Sequence, residues 1–402
     1  MLKSRRAARA AVLAGSVLLA ATMLAPPATA GRSPDHSGSG DPWKVIATGL
    51  DSPRHLAIHS GDLYVVEAGR GGDGPCVEHP PLGTFCLGAT GAVTKVRVNG
   101  PDRRVVTGLP SIKAQALPGE NEDDKDTLGA SDIAFDGGRH FTLAIGLGGD
   151  DAFRDAFGPG GTLLATLVKG KLGKSGVTLF ADVLANEVAN NPEPEDIDSN
   201  PVGLLRRGSS YLVTDAGGND LLKVSRKGDF STVAVFPFGS ALAPPFLGLP
   251  PGTEIPTDPV PTEVVLGPDG AYYVSQLTGF PFEKGGANIF RVVPGQQPTV
   301  YASGLTNLTD LAFARNGDLY AVQISTEGLL TGPIGSLVKV NPYSSTHEVI
   351  AGGLNAPYGV ALDRRSAYVS TCTTCTGDGT VIKIPLPRKS DDRHGLADEV
   401  QE

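Results

Sequence analysis

The chain is poor in sulfur and in large aromatic side chains. Of its 402 residues four are cysteine, two methionine and one tryptophan, and aromatics make up 6%. Four cysteines cannot form a disulfide-dense scaffold, so the fold must rest on an apolar core. Basic residues are also in deficit, 34 Lys and Arg against 43 Asp and Glu. A net charge of −9 disfavours nucleic acid and anionic membranes as partners. Beyond the N-terminal segment no apolar run is long enough to span a bilayer, so stable membrane insertion is not expected. The GxSxG elbow and the HExxH helix are both missing. The glycine-rich runs 69–74 and 146–150 follow strand patterns without opening helices, so they read as loops rather than phosphate cradles.

The N-terminus has the pattern of an export signal. Lys3, Arg5, Arg6 and Arg9 precede an apolar stretch, and Ala28-Thr29-Ala30 supplies a small-residue cleavage site. Cleavage near Ala30-Gly31 removes both methionines and leaves a more acidic, secreted chain. Residues 1–30 are therefore assigned to a signal peptide, 31–42 to a flexible linker, 43–387 to one folded domain and 388–402 to a charged tail.

That domain repeats one phrase six times. Apolar first strands centre on Leu56-Ala57-Ile58, Ile133-Ala134-Phe135, Leu204-Leu205, Val264-Val265-Leu266, Leu311-Ala312-Phe313 and Val360-Ala361-Leu362. Each is followed by a tight turn and a second strand. Third strands carry a basic residue in five copies, Lys95, Lys223, Arg291, Lys339 and Lys383. Four-stranded units repeated on this scale predict an all-β, six-bladed β-propeller of antiparallel blades. The last copy stops at its third strand, so Val45-Ile46-Ala47 is expected to pair onto it and close the ring, leaving no open edge.

Hairpin dipeptides such as Ser60-Gly61 and Asn316-Gly317 mark short turns on one face of the ring. The long segments 69–90, 110–128, 146–160, 185–199, 237–259, 277–286 and 325–332 all fall on the other. Loops on a rigid scaffold are where binding and chemistry usually sit. This face is also acidic, with Glu120, Glu122, Asp123, Asp124 and Asp126 in one loop, Asp150 and Asp151 in another, and Glu193, Glu195, Asp196 and Asp198 in a third.

Two sets of polar positions should converge at the channel mouth on that face. Second strands end in Glu67, Asp215, Gln276, Gln323 and Thr371, and the first four are candidates for a ligand-binding face. Inner strands begin with His55, Asp132, Gly203, Glu263, Asp310 and Gly359. Oxygen ligands from Asp132, Asn200, Glu263 and Asp310 would suit calcium or another divalent cation in the central channel. Zinc is disfavoured by the scatter of histidine and thiol residues. The competing reading is that these side chains cap turns and exposed backbone amides. His55 is a weak candidate for a general base.

An exported chain with four cysteines should hold two disulfides. Local pairing, Cys76 with Cys86 and Cys372 with Cys375, is the first expectation; bonds across the seam between first and last blades are the alternative.

The motifs Glu67-Ala-Gly-Arg-Gly-Gly-Asp-Gly-Pro-Cys76, Asp215-Ala-Gly-Gly-Asn219, Pro244-Pro-Phe-Leu-Gly-Leu-Pro-Pro-Gly252, Gln276-Leu-Thr-Gly-Phe-Pro-Phe282 and Tyr301-Ala-Ser-Gly-Leu305 resemble the ScyD/ScyE family of secreted bacterial propellers, over about Trp43 to Ile384. More remotely, Gly267-Pro-Asp-Gly270 resembles NHL-repeat and regucalcin/gluconolactonase-like propellers. The first resemblance implies a secreted six-bladed propeller without an assigned reaction; the second implies a divalent cation in the channel. Members of the ScyD/ScyE family usually carry glycine where this chain has His55. Two functions follow as expectations: a propeller that binds a small molecule, glycan or protein on its acidic face, or a divalent-metal-dependent hydrolase of lactones or esters. A quinone-dependent sugar dehydrogenase is a fainter third.

Overall fold

The apolar triplets form strands, because β-branched and aromatic residues alternating with polar ones suit a pleated surface buried on one or both faces. The computed structural model describes residues 43–79, 82–97, 101–121, 123, 125–174, 176–191 and 197–387. The signal peptide, the linker and the tail expected above lie outside the described residues. The described chain is a β-propeller. Three discrete blades are Pro201–Arg207 to Phe230–Val235, Pro261–Leu266 to Thr299–Leu305, and Leu308–Phe313 to Glu348–Asn355, each of four antiparallel strands in chain order.

A fourth blade joins the chain's ends. Val360–Leu362, Ser366–Thr371 and Thr376–Pro385 are completed by Lys44–Asp51, with Val45 opposite Ile382 and Ala47 opposite Val381. The N-terminal strand thus covers an edge that would otherwise be free.

Six separate blades are not what the sheets show; four are discrete. The first two repeats run as one nine-stranded sheet from Pro53–His59 to Thr178–Asp182. The seam lies where the sequence suggested the loop 110–128. Arg103–Ala114 extends into that segment and pairs with the start of Thr127–Gly137, Ser111 opposite Gly129 and Lys113 opposite Thr127. Glycine makes the crossing possible: a Cβ on Gly129 would stand 2.5 Å from the Ala68 carbonyl oxygen, and one on Gly88 1.9 Å from that of Gly71. Two other expected loops hold short helices, Asp151–Ala156 and Val183–Asn190, capped by Asp150 and Asp182. A separate hairpin, Gly239–Leu242 with Glu254–Thr257, rises from the Pro-rich segment.

The core lies between neighbouring sheets. Val65, Val66, Val93, Leu143, Val213, Val274, Val322 and Val369 are fully buried, each contributing on the order of 1.5–3 kcal/mol of gross transfer free energy. The inner strands touch one another in a closed circle, and hydroxyls stitch them: Thr262 Oγ1 donates to the Leu308 carbonyl at 3.0 Å, Thr309 Oγ1 to Tyr358 at 2.7 Å, and Ser370 Oγ to Arg54 at 2.7 Å. Basic residues of the third strands pair with aspartates near the first turns, Lys95 with Asp62, Arg291 with Asp269 and Lys339 with Asp318. Both disulfides are local, Cys76–Cys86 and Cys372–Cys375.

Candidate functional site

The starts of the inner strands bring buried ionisable groups together on the axis. His55 Nε2 lies 3.1 Å from Glu263 Oε2, with side-chain exposures of 2% and 7%. Asp132 offers an oxygen to the same point; its ligand atom and those of His55 and Glu263 lie within 4.8 Å of one another. His55 Nδ1 is 3.1 Å from the Ser131 carbonyl oxygen, which can only accept, so Nδ1 carries the proton. The Tyr358 ring meets the imidazole edge-on at 5.2 Å between centroids.

Two glycines make this convergence possible. A Cβ on Gly203 would stand 2.9 Å from Glu263 Oε2 and 2.8 Å from its Cα, and a Cβ on Gly359 would stand 2.8 Å from the His55 Cα. Around the circle the six positions read Asp132, Gly203, Glu263, then Asp310, Gly359, His55. The two halves repeat, so glutamate and histidine face each other from opposite sides. Asp132 and Asp310 have matching roles: each accepts its own following amide, Ile133 or Leu311, at 2.6 Å. Each also accepts one from the next repeat, Leu204 at 2.7 Å or Val360 at 2.6 Å.

Electrostatics follow from burial. Desolvation raises the carboxyl of Glu263, with the charge of Asp132 adding to it, to about 7. Desolvation also raises Asp132 and carries Asp310 well above the ordinary carboxylate range. For His55 desolvation opposes the charged form, but the carboxylates of Asp310, Asp132 and Glu263 outweigh it and lift the imidazole well above its usual value.

Of the four expected metal ligands, the structure gathers Asp132 and Glu263 and adds His55. Asp310 acts on His55 through its charge while both its oxygens hold backbone amides. Asn200 lies outside the cluster, lining a cavity of about 20 Å³ with Arg54, Ser131, Val202 and Tyr358. That space is sufficient for about one water. Arg54 is buried next to His55: its guanidinium lies 4.8 Å from the Tyr358 ring centroid, bonds Thr373 Oγ1 and donates to the Thr127 carbonyl. The roles of Arg54 and Tyr358 were not legible in sequence, because each acts through residues far away in the chain.

The candidates at the ends of the second strands turn inward to the backbone. Glu67 accepts from the Asp51 amide at 2.8 Å and Thr94 Oγ1 at 2.6 Å, and pairs with Arg104. Asp215 accepts from the Asn200 amide at 2.6 Å and Ser199 Oγ at 2.7 Å, and Gln323 from the Thr306 amide at 2.7 Å. These three tie each second strand to the segment entering its own blade. Gln276 differs: it accepts from the backbone and side-chain amides of Asn288, at 3.1 and 3.0 Å, in the wall of a cleft. This cleft, of about 200 Å³, lies between the 239–257 hairpin and the blade beside it, with Phe238, Phe290, Val300, Thr278, Glu283 and Asn288 in its lining. The Pro-rich segment 237–259, the segment 277–286 and the ligand-facing candidate Gln276 were its signals in the sequence.

The acidic clusters are partly structural. Glu120 pairs with Lys125, Asp123 accepts from the Thr376 amide, and Asp150 caps a helix. Glu122, Asp124, Glu193, Glu195 and Asp196 lie outside the described residues.

No family model and no curated protein matches the chain. Solved structures share its architecture. A glucose dehydrogenase aligns with a TM-score of 0.50 at 13% identity, covering 86% of this chain and 99% of that one. A putative oxidoreductase (glucose dehydrogenase) from Thermus thermophilus gives 0.46 at 15% over 85% and 98%. Virginiamycin B lyase of Staphylococcus aureus gives 0.43 at 9% over 86% and 99%. At 13% identity the likeness to the first of these shows a shared fold and says nothing of reaction.

Proposed function

We propose that the chain is a secreted propeller of the ScyD/ScyE type, with the nine-stranded sheet counting as two blades of six, that binds a small molecule or glycan on its loop-rich face. The observation that carries this reading is the cleft beside the hairpin. Phe238, Phe290 and Val300 offer apolar surface, while Gln276, Asn288, Thr278 and Glu283 offer amide, hydroxyl and carboxylate groups. A few polar groups set in an apolar lining is the usual make-up of a small-molecule site. Aromatic faces suit the C–H surface of a sugar ring, and amides and carboxylates suit its hydroxyls. A glycan array followed by calorimetry on the full chain tests it. The expected result is a ligand whose affinity falls at least tenfold in Phe238→Ala and is unchanged in Lys284→Ala. No ligand from sugar and metabolite panels, or one indifferent to Phe238, would overturn it.

The runner-up is a divalent-metal-dependent hydrolase of lactones or esters, favoured by the convergence of His55, Asp132 and Glu263. Against it stands the burial of all three side chains and the cavity beside Arg54 and Ser131, large enough for about one water. Turnover of a lactone and ester panel with Ca²⁺, Mg²⁺ or Mn²⁺, abolished by Glu263→Gln, would reverse the preference.

A further inference from the structure

We propose that His55, Asp132 and Glu263 form a binding site for a divalent transition-metal ion on the propeller axis, acting as a lock between opposite sides of the ring. The proposal is independent of the cleft and goes beyond the oxygen-only set expected from sequence, because it puts an imidazole at its centre.

The first observation is the tautomer. With its proton on Nδ1 and donated to the Ser131 carbonyl, a neutral His55 directs the Nε2 lone pair at two carboxylates. A lone pair facing a carboxylate is repulsive, so a proton or a metal ion must stand between them: a second proton on the ring, a proton on the facing carboxyl, or a metal ion. Metal-bound histidines characteristically donate their other ring N–H to a carbonyl or carboxylate, which fixes the ring as it is fixed here.

The second observation is that both facing atoms lack other hydrogen-bond partners. His55 Nε2 and Glu263 Oε2 are buried and 3.1 Å apart, and neither atom has a hydrogen-bond partner other than the one it faces. Two ligands on a tetrahedral ion with bonds of about 2.0–2.2 Å sit roughly 3.3–3.5 Å apart. The observed spacing is close to that of two ligands sharing an ion. Asp132 is held in place by the Ile133 and Leu204 amides, and a carboxylate has lone pairs left after accepting two bonds.

The third is charge. Asp132, Glu263 and Asp310 place three carboxyl groups beside one imidazole, all buried. Buried charge has to be paired or to coordinate a metal, and a divalent ion would let two of these carboxyls stay ionised beside one neutral imidazole. One nitrogen with two oxygens favours zinc, manganese or cobalt over calcium, which takes oxygen ligands alone.

The test uses the full exported chain, stripped with a chelator and titrated with Zn²⁺, with Co²⁺ as a spectroscopic reporter. One Zn²⁺ per chain by elemental analysis, a higher melting temperature with Zn²⁺, and a visible Co²⁺ band of low coordination number are expected. His55→Ala and Glu263→Gln should each weaken Zn²⁺ binding at least tenfold and abolish the Co²⁺ band, while Lys284→Ala retains both. Because a variant could fail to fold, ¹⁵N spectra of the unmutated chain give a second readout: Zn²⁺ should shift His55 Nε2 while Nδ1 keeps its proton. The proposal is overturned if the folded chain takes up no stoichiometric Zn²⁺ or Co²⁺, or if binding survives in folded His55→Ala. It is equally overturned if the ring stays doubly protonated in excess Zn²⁺, which would leave a plain imidazolium–carboxylate pair.

Discussion

The second-strand ends and the inner-strand starts both place carboxylates out of solvent near the axis, yet they use them differently. Glu67 and Asp215 are spent on backbone amides, hydroxyls and, for Glu67, the Arg104 guanidinium. One strand inward, the Oε2 of Glu263 holds no amide or hydroxyl and reaches across the axis to His55. The difference comes from chain length and neighbours. An aspartate at this point of the inner strand, Asp132 or Asp310, gives both oxygens to adjacent amides; a glutamate beside a glycine is long enough to carry one oxygen across the axis. Burial of an acid therefore does not separate a structural clamp from a candidate ligand. Its remaining partners do.

The largest effect expected from breaking this comparison is at the seam. Removing residues 44–51 takes away the strand that completes the last blade, and the chain should lose cooperative unfolding in calorimetry. Glu67→Ala comes next. It leaves the Asp51 amide and the Thr94 hydroxyl without their acceptor, while Arg104 keeps Asp51, and should cost about 2 kcal/mol in denaturant titration. Glu263→Gln in metal-stripped protein should be near neutral, and an equal loss in the two variants would erase the contrast drawn above. Gly203→Ala should cost about 2 kcal/mol, since its Cβ would meet the Thr262 carbonyl oxygen at 2.6 Å as well as Glu263.

Asp220 gives a pH test. Burial, and then the charges of Asp215 and Glu187, hold its carboxyl well above the ordinary range. A raised acid binds its proton more tightly in the folded than in the unfolded state. Its contribution is therefore favourable at low pH and is lost as pH rises from the unfolded value toward the folded one. Asp220→Asn should melt higher than the parent at pH 8, with the gain shrinking toward pH 4; a gain constant with pH would refute the assignment. The smallest effect belongs to the exposed pair Lys284–Glu327, with side chains 60% and 61% exposed. There Glu327→Gln should change stability by less than about 0.5 kcal/mol.

Much of the architecture was legible in the chain. Strand periodicity, hairpin dipeptides and the unpaired opening strand at Val45-Ile46-Ala47 led to a closed propeller, because these signals are local or arise from simple counting. The basic residues of the third strands were visible but unexplained until Asp62, Asp269 and Asp318 were seen beside Lys95, Arg291 and Lys339. Two things were misread for the same reason. The segment 110–128 was taken for a loop, although its first residues add to a strand through pairing with Thr127–Gly137. Glu67 and Gln323 were taken for ligand-facing groups, although their acceptors are used by amides 16 and 17 residues away.

The sequence alone determined that this is an all-β chain of repeated four-stranded units, rich in acidic loops on one face, with two short-range disulfides as its first expectation. Those properties depend on spacing along the chain, which composition and periodicity record. Only the tertiary structure decided that His55 meets Glu263 from the opposite side of the ring, that Arg54 packs on the Tyr358 ring beside His55, and that Gly203 and Gly359 leave the space they occupy. Such contacts join residues hundreds of positions apart, and nothing in one-dimensional spacing says which side chains a closed circle will bring face to face.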